Sequence, residues 1–169
     1  MVEDAVAKNF LGYAVKRLRL SEGEILRCVG RLSEEQMWFR RGEYENSVAN
    51  LLLHLAGNMR QWILHGIAGQ TDVRARDEEF ALTPAMIAAE ATEQFRATLA
   101  EVCGVLSELP VGRLGEVIDP QPTGMSRHPT ILEAIFQVVG HVQLHTGQVF
   151  VLTKQMLAAD LDLSLPRRR

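Results

Sequence analysis

Apolar positions recur with helical period along most of the chain, and residues 130–158 carry the pattern to an extreme. From Ala134 to Thr153 there is no Asp, Glu, Lys or Arg. At about 100° per residue, Gln137, His141, His145 and Gln148 fall into one narrow polar stripe. Nearly everything else is apolar or small, including Ile135, Phe136, Val138, Val142, Leu144, Val149 and Phe150. The pattern predicts a helix covered around most of its circumference, with two imidazoles a turn apart on its one polar seam. Thr130 opens it, and Glu133 completes a Thr-x-x-Glu capping box.

A second stretch has the same character. Asn46 or Ser47 caps a helix that runs to about Ile67 and stops near Gly69. Its only charge is Arg60, and Leu51, Leu52, Leu55, Met59, Trp62 and Ile63 cover most of the wheel. Ser47, Asn50, His54, Asn58, Gln61 and His65 form the remaining stripe.

The other elements are ordinary amphipathic helices. Residues 3–32 place Val6, Phe10, Ala14, Leu18, Ile25, Val29 and Leu32 on one face. Ser33 to Gln36 is a capping box for a short turn ending near Trp38, and 39–46 form a connector. Residues 70–82 read as a charged surface link. Thr83-Pro84 reads as a cap and first position of a helix reaching Leu109, with Met86, Ile87, Phe95, Leu99 and Leu106 inward. Residues 110–129, with four prolines and three glycines, form a loop long enough to cross a bundle. No strand-period alternation and no internal repeat appear. The prediction is all-α: a four-helix bundle, one domain over 1–165, followed by a basic tail at 166–169.

Composition narrows the function classes. A net charge of -3 argues against a nucleic-acid binder held by phosphate contacts. The apolar stretch 134–153 has the length of a membrane span, but its five Gln and His residues argue against one. The acidic N-terminus MVEDAVAKNF lacks the apolar run of a signal peptide. Cys28 and Cys103 stand alone, as small core residues of a protein in a reducing cytoplasm.

The histidines carry the candidate chemistry. His141 and His145, about 6 Å apart on one helix face, can share one metal ion, and His54 offers a third imidazole from a helix of the same kind. Three imidazoles suit a divalent first-row ion such as Zn, Ni, Fe or Co and leave positions for water or substrate. Asn58, Gln61 and Gln137 are candidates for supporting the ligands or touching substrate. His65 is about 16 Å along the helix from His54, too far to share its ion, and suits a helix-end role. His128 lies in the long loop, structural or exposed. No Ser nucleophile motif, dinucleotide fingerprint, phosphate loop or carboxylate pair is present, and neither cysteine is in a reactive setting.

With these residues in view, the segment N-S-V-A-N-L-L-L-H-L-A-G-N-M-R-Q-W (Asn46 to Trp62) and H-V-Q-L-H (His141 to His145) resemble the DinB / YfiT-like superfamily of metal-dependent proteins. The likeness follows the element order of essentially the whole chain. Trp62 to Phe80 is similar to one uncharacterised branch. The resemblance implies an up-down-down-up bundle, a divalent metal on His54, His141 and His145, and a homodimer. Characterised relatives include S-transferases and isomerases that use a low-molecular-weight thiol, bacillithiol or mycothiol.

Three readings follow. The first is a cytoplasmic metalloenzyme acting on a small molecule by thiol-dependent S-transfer or hydrolysis, with Zn, Ni or Fe bound. The second is a non-catalytic metal- or ligand-binding bundle, such as a stress-response protein. The third is a helical dimer whose histidines are merely hydrogen-bonded.

Overall fold

A computed structural model describes residues 2–118 and 128–161. Five α-helices make it up: α1 (Val2–Val29), α2 (Glu34–Trp38), α3 (Val48–Met59), α4 (Ala88–Glu108) and α5 (Ile131–Leu157). Among the described residues no strand forms, and the only extended pairing is an isolated bridge between Val117 and Thr130. The basic tail expected at 166–169 lies outside the described residues.

The four long helices pack cyclically, α1 against α4 and α5, and α3 against the same two. α3 is the interior helix, with all twelve of its residues buried. Its lack of charge is thereby explained, since no position on it meets enough water to solvate one. Ser47 caps it in a reciprocal box with Asn50, whose amide also donates to the Glu79 carbonyl. The helix then widens into a π-helical turn over Arg60–His65, where the backbone hydrogen bonds span five residues instead of four. Gly69, at φ 73°, turns the chain out through the left-handed region.

Several expected features differ in the structure. In α1 Val6 is exposed and Leu11 takes the inward place. The third long helix begins at Ala88, not at Thr83-Pro84, and Ile87 points outward. Ile87 has no side-chain acceptor to cap the helix, and Glu34 of α2 supplies one, its two carboxylate oxygens accepting from the Ala88 N–H at 2.9 and 3.0 Å. Of the connector 110–129, residues 119–127 lie outside the described residues; before them Val111–Gly115 form a 3-10 turn, and Ile118 N–H donates to the Pro129 carbonyl at 2.8 Å.

The largest correction concerns α5. Its circumference is not covered: Phe136 is 72% exposed, Leu144 62% and Val151 54%. Its buried side is the strip Ile131, Ala134, Ile135, Val138, Val142 and Val149. Among the described residues, no helix is long and apolar enough to cross a membrane.

Candidate metal centre

Helices α3 and α5 bring His54, His141 and His145 together. His141 Nε2 lies 3.1 Å from His54 Nε2 and 2.9 Å from His145 Nε2. Rings of the three pack edge-on, with centroids 4.4 to 5.0 Å apart. Among the described residues, no Cys, Asp, Glu or fourth His joins this group of potential ligand atoms. The shared seam explains the meeting. His141 and His145 are one turn apart, and α3 turns its single imidazole toward them.

The outward nitrogens fix the tautomers. His54 Nδ1 lies 2.9 Å from Glu79 Oε2, and an ionised carboxylate only accepts, so Nδ1 carries the proton. Arg74 Nη2 also lies 3.3 Å from that nitrogen, but both groups are then donors, so the carboxylate is the real partner. His145 Nδ1 likewise donates to Gln148 Oε1 at 2.6 Å. Both rings therefore present bare Nε2 lone pairs to the point where His141 Nε2 also arrives. His141 Nδ1 is buried without a hydrogen-bond partner.

Burial, then the neighbouring His145 and His54, pushes His141 from the ordinary imidazole value of 6.5 to about 4. His145 is also lowered, first by burial, with the Gln148 bond opposing. The rings of this pair are thus held neutral, as metal ligands must be.

A divalent first-row ion fits this donor set. Neutral imidazole nitrogens are its preferred ligands, and two lone pairs aimed at a third nitrogen are repulsive until a cation or a proton stands between them. The three Nε2 atoms would hold it. Glu79 and Gln148 would orient their rings from outside.

Glu79 and Arg74 were not legible as site residues. Residues 70–82 read as a surface link, yet Glu79 is 7% exposed and the Arg74 side chain 4%. Arg74 clasps the carboxylate two-pronged, Nε to Oε1 at 2.7 Å and Nη2 to Oε2 at 2.8 Å. Burial alone would raise the Glu79 carboxyl, but the Arg74 and His54 hydrogen bonds outweigh it and hold the group below its ordinary range. Phe80 packs on His54 with centroids 4.8 Å apart. The one hint in the sequence is chemical: a buried imidazole on an uncharged helix needs an acceptor, and the first carboxylates that follow His54 in the chain are in 70–82.

The other candidates divide. Gln61 is buried and ties the link down, accepting from Arg74 Nη1 at 2.9 Å and donating to Asp72 Oδ2 at 3.1 Å. Asn58 is buried one turn beyond His54, its Oδ1 without a partner. Gln137 is exposed beside a depression that Trp62, Pro129, Leu132 and Phe136 also line. His65 Nδ1 lies 2.7 Å from the Gln70 carbonyl at the end of the π turn, and His128 is exposed and outside the cluster. Cys28 and Cys103 are buried free thiols, both raised by burial, which suits core residues.

No curated protein matches the sequence. A family model, described as "Protein of unknown function (DUF1572)", matches residues 5–169. With that match covering nearly its whole length, the chain belongs to the DUF1572 family.

Proposed function

We propose that this protein is a metal-dependent enzyme in which His54, His141 and His145 hold one divalent ion, with Zn, Ni or Fe the best-suited metals. One observation carries the reading. Two imidazoles, each fixed by an outward hydrogen bond, turn bare nitrogens onto the nitrogen of a third. Hydrogen bonding among the rings alone accounts for this less well. A single shared proton satisfies one of the two contacts, and the buried His141 Nδ1 then stays unpaired as well.

A divalent ion in that place supplies Lewis-acid polarisation to a small-molecule substrate. The chain's own residues do the rest. Phe80 shields one side of His54 from water. A cavity of about 290 Å³, one turn of α5 before His141 and lined by none of the three histidines, offers a mostly apolar wall at Trp62, Leu132 and Phe136 with the Gln137 amide and the Glu133 carboxylate. Three protein ligands leave coordination open for an incoming atom, and this favours catalysis over a closed structural or storage site. The preferred reaction is thiol-dependent S-transfer, with hydrolysis second, as the resemblance to the DinB / YfiT-like superfamily suggests. The same resemblance, with the cyclic contacts of α1, α3, α4 and α5, supports an up-down-down-up bundle. A cytoplasmic setting suits the two unpaired cysteines.

Metal content of the purified protein tests the proposal. The expected result is one ion per chain, lost in His54→Ala, His141→Ala and His145→Ala alike. Stoichiometric metal retained by all three variants, or none bound by wild type after incubation with Zn, Ni or Fe, overturns it.

A further inference from the structure

The segment 70–82 is docked on α3 in a way that a simple tether does not need. α3 is notched to receive it: a Cβ at Gly57 would stand 1.9 Å from Glu79 Oε1 and 3.1 Å from Arg74 Nε. Asn50 holds the backbone of Glu79 at 2.9 Å, and Gln61 holds the guanidinium of Arg74. The result is a carboxylate with both oxygens engaged, one of them also accepting a hydrogen bond from His54 Nδ1–H. Arg74 needs only a carboxylate for its own neutralisation. It has no need of one aimed at an imidazole.

We infer that Glu79, held by Arg74, is a positioning residue for the metal centre, and that docking of residues 70–82 and metal loading are one coupled equilibrium. The inference rests on the proposal that His54 is a ligand. By accepting a hydrogen bond from Nδ1–H, Glu79 keeps the His54 Nε2 lone pair free and fixes the plane of the ring. An ion on Nε2 draws electron density from the ring and strengthens Nδ1–H as a donor to Glu79. Coupling of this kind is reciprocal, so the ion favours the docked segment as much as the docked segment favours the ion.

Two measurements test it. The first is the zinc dissociation constant, by competition with a chromophoric chelator. Glu79→Ala is expected to weaken binding about 10- to 100-fold. Glu79→Gln, whose amide oxygen still accepts from Nδ1, is expected to weaken it less but measurably. The second is hydrogen exchange across residues 70–82, expected to slow on zinc addition in wild type and to be indifferent to zinc in His141→Ala. If wild type binds zinc and either folded Glu79 variant binds it as tightly, the positioning role falls while the metal site stands. If Glu79→Ala does not fold, Glu79→Gln alone decides. Zinc binding in wild type with unchanged exchange in 70–82 overturns the coupling. A wild type that binds no zinc, nickel or iron removes both the site and the inference.

Discussion

His141 is the residue on which the site's acid sensitivity turns. Burial and the adjoining imidazoles place its titration at about 4, against 6.5 for an unperturbed ring. A folded value below the unfolded one means that the unfolded chain takes up this proton first as pH falls. Stability from this residue is therefore complete above about 6.5, is lost between there and about 4, and changes no further below. The urea midpoint of chelator-treated protein should fall across that window, and less steeply in His141→Gln. An identical slope in the two proteins would count against it. At this scale the sequence was half transparent. His54, His141 and His145 were visible because each stands on a helix seam, and helical period survives into the fold. Glu79 was not, because nothing in a loop's sequence tells which of Asp77, Glu78 and Glu79 turns inward. That choice is made by the notch at Gly57 and the fork of Arg74, both of them contacts between separate segments.

Among the elements, helix starts with a local cap were the ones sequence located. Ser33, Ser47 and Thr130 each close a reciprocal box within three residues, and each helix begins where that box puts it. The start of α4 follows a different rule. Thr83-Pro84 has the composition of a helix opening, but the helix waits for Ala88 because Glu34, distant in sequence, supplies the acceptor there. The same carboxylate accepts from the Trp38 indole at 3.1 Å and so ties α2 to the α4 terminus. Replacing Glu34 with Ala should lower the unfolding free energy by about 0.5–2 kcal/mol, the range for a lost N-terminal cap. Glu34→Gln should recover part of it, since the amide oxygen still accepts but the charge is gone. Chemical denaturation measures both. Equal stability of Glu34→Ala and wild type would mean that water caps Ala88 as well as Glu34 does.

For the whole molecule, the uncovered side of α5 is what a single chain leaves unresolved. An all-round apolar helix read from sequence implies burial on all sides, yet the chain's other helices cover only one. Phe136, Leu144 and Val151, with Leu132 at the N-terminal end, face outward on one broad arc of the helix. At about 100° per residue that arc abuts the His141 and His145 seam. Phe136, Leu144 and Val151 are large apolar side chains exposed along one helix, and a second copy of the chain would cover them. The homodimer that the resemblance implies is expected to form along this face of α5, next to the proposed metal centre. Sedimentation equilibrium should give twice the chain mass of 18.9 kDa for wild type. Phe136→Glu combined with Leu144→Glu should return it to the mass of one chain, because a two-fold interface would then bring together charges of one sign with nothing to neutralise them. Neither position lies in the buried strip of α5, so the variant should keep its helix content and its metal. A wild type that sediments as one chain would refute the dimer, and a variant that still sediments as two would place the interface elsewhere.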